Sequence, residues 1–89
     1  MPALGSAVAD VSGESYAGVR IFMDDHQLPL PYPAQIARIA GGPHTIRFAW
    51  VSGALAGREL THAVEIRPGG HVRIRAVPED DQVVVLPIR

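Results

Sequence analysis

The sequence predicts an all-β fold, a small antiparallel β-sandwich of about six or seven short strands. Hydrophobic residues recur at every second position over most of the chain from residue 18 onward. The 8 prolines and 9 glycines stand mostly between these runs, which leaves little room for a helix of ~10 residues. Alternation with a period of two places one set of side chains on a buried face and the other set in water.

Four alternating runs and one continuous run carry the strand signal. Val83–Ile88 is the continuous run, and Pro87 confines it to the edge of a sheet because proline cannot donate to a neighbouring strand. The inward sets of the four alternating runs are Val19, Ile21 and Met23; His44, Ile46, Phe48 and Trp50; Leu60, His62, Val64 and Ile66; and Val72, Ile74 and Ala76.

Glycine-rich connections predict two hairpins. Pro68-Gly69-Gly70 fits a three-residue hairpin loop that pairs Ile66 with Val72 and sets Glu65 opposite Arg73. Ala40-Gly41-Gly42 fits a similar loop that brings Ile36 opposite Ile46. Asp24-Asp25 predicts a further turn, since aspartate side chains bond to their own backbone.

Length and charge exclude several classes of protein. With 89 residues the chain forms one domain at most. The 8 basic and 9 acidic residues give a net charge of −1, so we expect no nucleic-acid partner, which would need a concentrated positive field. The chain has no apolar run of ~18–20 residues, so we expect no membrane insertion. Cysteine is absent, which excludes disulfides and thiolate ligands.

The segment 1–15 is rich in small residues and has no sustained period, so we expect an N-terminal arm or linker there. It lacks the basic and apolar regions of a secretory signal peptide. The alternative is that Ala7–Val11 adds one short edge strand. The sandwich is then expected over 16–78, and 79–89 is expected to form a C-terminal edge strand.

The order of these features resembles the PEGA domain, a small Ig-like β-sandwich module. Ser15–Asp25 matches the opening strand and turn of that family, although the family's initial Pro-Glu is missing. Pro33 stands where the family has a proline before a short strand. The remaining matches are Gly42–Phe48 for the Gly-x-His step into a long strand, and Ala63–Ile66, Pro68-Gly69-Gly70 and Val72–Val77 for the closing strands and their turn. The resemblance covers residues 16–78.

The resemblance implies a non-catalytic module of bacterial envelope proteins or of the extracytoplasmic parts of Ser/Thr kinases. It therefore implies an envelope or extracytoplasmic location, and it supplies no catalytic residues. All basic residues are arginine, a usage that also indicates a GC-rich bacterial genome. Two regions depart from the family pattern and are candidates for this chain's particular contact: the apolar loop Val51–Gly57 and the extension Pro78–Arg89.

Two surfaces are candidate binding sites for a protein partner. Arg20, Arg47, Arg73 and Arg75 lie on the outward sets, with Phe22 beside Arg20, and would line one face if their strands share a sheet. Such a face could hold an acidic peptide, a phosphate or a glycan carboxylate. The alternative is a solvated surface on which the arginines pair with Glu59 and Glu65.

The second surface is the β-branched run Val83, Val84 and Val85. It either closes its own sandwich or pairs with the edge of another chain, which includes a second copy of this one.

Two other functions are weighed against a binding module. A carbohydrate (cell-wall glycan) module would use Phe22 and Tyr32, whereas Trp50 belongs to the inward set and is expected in the core. A metal-binding domain would use His26, His44, His62 or His71, but their spacing matches no known ligand motif. We expect His44 and His62 to be hydrogen-bonded at the rim of the core. No serine lies in a nucleophile elbow, so we expect no enzyme, no catalytic residues, no bound metal and no cofactor.

Overall fold

A computed structural model describes residues 3–12 and 18–88 and confirms the all-β sandwich. Eight strands form two sheets of four, so the strand count exceeds the predicted six or seven. Sheet A has the order β4-β1-β7-β8 and sheet B the order β3-β2-β5-β6. The strands are β1 Gly5–Val11, β2 Val19–Met23, β3 His26–Gln27, β4 Ala34–Ile39, β5 Gly42–Trp50, β6 Glu59–Ile66, β7 His71–Val77 and β8 Gln82–Pro87, with a short 3-10 turn at Pro78–Asp80 between the last two.

The core lies between the inner faces of the two sheets, and the two faces differ in residue size. Sheet A contributes mostly small side chains, namely Ala7, Ala9, Val11, Ala34 and Ala76, together with Ile39 and Ile74. Sheet B contributes larger ones, namely Val19, Ile21, Met23, Ile46, Phe48, Trp50, Leu60, Val64 and Ile66. A small-residue face opposite a large-residue face fills the space between layers without voids. The apolar members of the predicted inward sets are therefore buried or half-buried, whereas His44 is half-buried and His62 is exposed.

Strand β1 is an interior strand, so the expectation of an arm or linker over 1–15 is wrong for the described part of that segment. β1 pairs antiparallel with β4 on one side and parallel with β7 on the other, so the described sheets depart from the predicted antiparallel arrangement at this pair. The alternative of an edge strand at Ala7–Val11 is also wrong, because both sides of the strand are paired. Among the small residues that suggested a linker, Ala7 and Ala9 belong to the core, where they face the bulky side chains of sheet B. The sandwich therefore begins before residue 16.

The two predicted glycine hairpins are wrong. β6 pairs with β5 in sheet B, whereas β7 belongs to sheet A, so Glu65 does not lie opposite Arg73. β4 and β5 likewise lie in different sheets, so Ile36 is not paired with Ile46. Alternation determines which face of a strand is buried. The same side chains are buried whether the strand is connected to the next one by a hairpin within a sheet or by a crossover between sheets. The pattern therefore could not select the neighbouring strand.

The segment after β6 crosses to the other sheet because its backbone groups bind the start of the chain. The Gly70 N–H donates to the Arg67 carbonyl oxygen (2.8 Å) and closes a turn. The Gly70 carbonyl then accepts the N–H of Ser6 (3.0 Å). A Cβ on Gly5 would lie 2.0 Å from that carbonyl oxygen, so only glycine fits at this approach. The turn thus fixes β1 beside β7.

The Asp24-Asp25 turn is confirmed, and it joins β2 to β3. Both residues have positive φ, 50° and 67°, which is the conformation of a two-residue type I′ hairpin. The Asp24 N–H donates to the Thr45 carbonyl (2.8 Å) and ties the turn to β5. Within the described part of the chain, no helix is long and apolar enough to cross a bilayer.

An aspartate in place of Ala9 tests the interior position of β1. Ala9 is 0% exposed, so Ala9→Asp places a charge between the sheets with no partner. We expect the free energy of unfolding to fall by on the order of 3–5 kcal/mol, the range for an uncompensated buried charge. Urea denaturation measures the loss. Ala37→Asp, on the exposed face of β4, is the matched control. Equal stability of the two variants would show that residues 5–11 form a dispensable arm and not an interior strand.

Candidate functional site

The predicted arginine-lined face is divided between the two sheets. Arg20, Phe22 and Arg47 lie on β2 and β5 in sheet B, whereas Arg73 and Arg75 lie on β7 in sheet A. The condition that the strands share one sheet therefore fails, and the single face is a wrong prediction. Two outer faces on opposite sides of the sandwich take its place.

On the outer face of sheet B, Arg47 covers Phe22. The two residues are cross-strand partners, and the guanidinium carbon lies 4.1 Å from the ring centroid. This is a cation–π contact, and it occupies a face that a sugar would otherwise stack on. Arg47 also lies 3.9 Å from Glu59, as the solvated-surface alternative expected. Arg20 donates to the carbonyl of its neighbour Val19 (3.0 Å).

On the outer face of sheet A, Asp10 holds both arginines of β7. Arg75 donates through two nitrogens to the two carboxylate oxygens of Asp10, at 3.0 and 3.2 Å. Arg73 lies 3.8 Å from the same carboxylate. Asp10 is 5% exposed, because the two guanidinium groups cover it. Sequence reasoning missed Asp10; the signal available was its outward position in the alternation Ser6, Val8, Asp10.

Replacing Asp10 tests whether this cluster stabilises the sheet. Asp10→Asn removes the charge that both arginines face, and we expect a loss of about 1–3 kcal/mol in the free energy of unfolding, typical of a hydrogen-bonded charged group. Glu59→Gln is the control, since its pair with Arg47 is long and exposed and is expected to contribute about 0–1 kcal/mol. Thermal or urea unfolding of both variants distinguishes them, and equal losses would contradict a structural role for Asp10.

His44 is hydrogen-bonded at the rim of the core, as predicted. Its Nδ1 lies 2.6 Å from Asp24 Oδ2 and its Nε2 lies 2.7 Å from the Ala40 carbonyl oxygen. Both partners only accept, so both bonds form when both ring nitrogens carry protons. The Asp24 hydrogen bond accordingly raises the pKa of His44 above its ordinary 6.5, against the opposing effect of burial. The same bond, with a second from the Thr45 N–H, lowers the pKa of Asp24 below 3.8.

This pair gives the stability of the domain a defined pH dependence. The His44 contribution is complete below 6.5 and is lost as the pH rises through its raised pKa. The Asp24 contribution is complete above 3.8 and is lost as the pH falls through its lowered pKa. The pair therefore stabilises the fold most between these two values. We expect Asp24→Asn, which keeps a residue tolerant of positive φ, to return the pKa of His44 toward 6.5 and to flatten the stability profile.

NMR titration of His44 and urea midpoints across the acidic to mildly alkaline range provide the measurement. His62→Gln is the control, because His62 is exposed. An unchanged His44 titration in Asp24→Asn would show that the carboxylate is not the cause.

The other histidines do not gather around a common point. His26, His62 and His71 are exposed, so His62, unlike His44, does not lie at a buried rim. His71 Nδ1 lies 2.7 Å from the Ser6 hydroxyl, its neighbour across the β1–β7 pair. Among the described residues, no three histidine or carboxylate side chains are placed to hold a metal ion.

The aromatic residues considered for a sugar platform have structural positions. Trp50 is 2% exposed in the core, as expected. The Tyr32 hydroxyl accepts the Ile21 N–H (3.1 Å) and donates to the Leu28 carbonyl (2.9 Å), which covers the edge of β2. Tyr32 therefore lies at a sheet edge, and Phe22 lies on the outer face of the sheet, so the two rings do not form one platform.

The loop Val51–Gly57 is closed by its own backbone. The Gly57 N–H donates to the Trp50 carbonyl (2.8 Å) and the Ala56 N–H to the Gly53 carbonyl (3.2 Å), while Leu55 packs on the core. Arg58, which sequence reasoning missed, follows the loop and joins the two sheets. Its guanidinium donates to the Pro78 carbonyl and to Asp81, both at 3.0 Å.

The predicted run Val83, Val84 and Val85 lies in β8, at the edge of sheet A. The Ile88 N–H donates to the His71 carbonyl (2.7 Å), so in this antiparallel pair the even-numbered residues of β8 bond to β7. The N–H and C=O groups of Val83 and Val85 consequently point away from β7, toward the free edge, the side of β8 with which no described strand pairs. Their side chains are half-buried on the inner face, while Val84 faces outward.

The other three sheet edges carry features that discourage pairing. β6 presents the exposed carboxylates of Glu59 and Glu65. The β4 edge has a register shift against β1 and a positive φ of 72° at Arg38, and β3 has only two residues. Charges, bulges and short length are the usual protections of an edge. β8 has none of these except Pro87 at its end, and its outward Leu86 is 50% exposed.

A groove runs along β8 where the two sheets separate. At one end it is lined by Leu60, His62 and Val83, and at the other by Arg67, Val85 and Ile88. The free edge of β8 thus lies beside an open seam between the sheets.

Comparison of the chain with models of known protein families gives no match, and a search of curated proteins gives none either. The PEGA resemblance of residues 16–78 therefore stays a prediction.

Proposed function

We propose that this chain is a non-catalytic, PEGA-like binding or assembly module that takes up an extended protein segment along the free edge of β8. The observation that carries the proposal is the contrast between the four sheet edges, of which β8 has the least protection. We further propose, from the resemblance alone, that the module works in a bacterial envelope or extracytoplasmic setting.

Backbone hydrogen bonds would supply the affinity of such a complex. Val83 and Val85 each offer an N–H and a C=O to an incoming strand, which is the mode of recognition called β-augmentation. Val84 and Leu86 would supply apolar contact on the outer face. Pro87 has no N–H, so it ends the pairing at that side.

The outer face of sheet A supports the same site. Arg75 and Arg73 lie on β7, opposite Val84 and Leu86 of β8. An added strand would therefore be separated from these arginines by β8 alone. The Arg73 side chain is 46% exposed, so an acidic side chain of a partner segment could pair with it on this face.

Two of the charged clusters in the described residues hold strands and turns together, which is a structural role. Asp10 is held by arginines and Asp24 by His44. The glycan alternative receives less support, because Arg47 covers Phe22 and the Tyr32 hydroxyl bonds to the backbone.

Selection of random displayed peptides on the immobilised domain tests the proposal. We expect the wild-type domain to enrich peptides that are extended and rich in β-branched residues. In Val84→Lys the enrichment of these peptides should fall at least tenfold, because a charged side chain on an edge strand discourages pairing. Ala37→Lys places the same charge on the exposed face of β4, at the opposite edge of sheet A, and is expected to retain the peptides. NMR shift mapping with a selected peptide should mark β8.

Enrichment that survives Val84→Lys, or shifts confined to sheet B, would contradict the site. Turnover of a substrate by the purified domain would contradict the function.

A further inference from the structure

We propose that the segment taken up by β8 is β8 of a second copy, paired antiparallel about a two-fold axis at Val84. This inference rests on the proposed function, because it uses the same free edge. It goes beyond that function by naming the occupant and the register.

The stretch of β8 whose outward backbone groups can pair with another strand, here called the pairing window, is symmetric about Val84. Outward hydrogen-bonding groups belong to Val83 and Val85, one residue on either side of Val84. The window ends three residues before Val84 at Asp81, whose N–H bonds to the Pro78 carbonyl (3.3 Å). It ends three residues after Val84 at Pro87, which has no N–H. A window that reads the same in both directions from Val84 is self-complementary for an antiparallel copy.

Only one register satisfies every donor in this window. With Val84 opposite its own copy, Val83 pairs with Val85 of the second copy, and four hydrogen bonds form. With Val85 on the axis, Val83 would face Pro87 of the second copy and each chain would lack a donor. With Val83 on the axis, Val85 would face Asp81 of the second copy, whose N–H is already engaged. Unpaired backbone groups at an interface are costly, so the first register is selected.

The same register places opposite charges together. Glu79, Asp80 and Asp81 precede β8, and Arg58 binds the last of them. Arg67 lines the groove at the other end of β8, where Glu65 is the nearby carboxylate. Antiparallel pairing brings the acidic end of one copy to the end of the other that carries Arg67. A parallel arrangement would place the two acidic ends side by side.

Side-chain contact on the axis follows from the geometry. Val84 and its copy form a non-hydrogen-bonded pair, the type in which opposed side chains are closest. The result is one continuous sheet of eight strands in which Arg75 lies on either side of the valine pair. Edge-to-edge pairing of this kind closes after two chains, because each chain uses β8 once.

Solution mass measured from micromolar to millimolar concentration, with complementary charge variants, tests the pairing. We expect the wild-type protein to pass from monomer to dimer as the concentration rises. Val84→Lys should remain monomeric, since two lysines would meet on the axis between the two Arg75 side chains. An equimolar mixture of Val84→Lys with Val84→Glu should recover the dimer, because lysine then lies opposite glutamate. Ala37→Lys, a charge at the opposite edge of sheet A, should dimerise as the wild-type protein does.

Each outcome separates this inference from the proposed function. A wild-type chain that stays monomeric at millimolar concentration, yet loses selected peptides in Val84→Lys, would refute self-pairing and leave the binding edge intact. Monomers with no peptide binding would refute both. Open-ended aggregation in place of a dimer, or a mixture of the charge variants that stays monomeric, would refute the register.

Discussion

The pairing of β1 with strands on both sides is the constraint on which sheet A depends. In sheet A, β1 lies between β4 and the β7–β8 hairpin, which are not paired with each other. Gly5 makes this insertion possible, because its missing Cβ lets the Gly70 carbonyl approach the N–H of Ser6. The small residues of β1 then let the bulky face of sheet B come close. Sheet order, core packing and the edge position of β8 all follow from that insertion.

The charged groups of the outer faces form small separate clusters and not one continuous surface of a single charge. Asp10 gathers two arginines on sheet A, and Arg47 serves both Phe22 and Glu59 on sheet B. Arg58 connects the two sheets, and the His44–Asp24 pair holds the β2–β3 turn against β5. Charge in this protein therefore organises short-range contacts, in agreement with a net charge of −1.

Fold class and buried faces could be predicted from the sequence, since alternation determines them residue by residue. Ile21, Phe48 and Ile74 are in the core because their positions in the pattern require it. Strand neighbours could not be predicted, because Pro68-Gly69-Gly70 is equally compatible with a hairpin and with a crossover. The partner of Gly70 is Ser6, far away in the sequence and inside a segment that looked like a linker. The same non-local pairing explains why Asp10, rather than Glu65, meets Arg73 and Arg75.

The parallel pairing of β1 with β7 also affects the order in which the chain can fold. Ser6 lies opposite His71, so the β1–β7 pair at the centre of sheet A joins two strands that are far apart in the sequence. The hairpins β2–β3 and β5–β6 close earlier, from contacts near in sequence. Proteins dominated by such distant contacts fold slowly for their size, because the loop must be closed before the pairing is gained. During translation, β1 can therefore pair with β4 on one side, but its other side has no partner until β7 has left the ribosome.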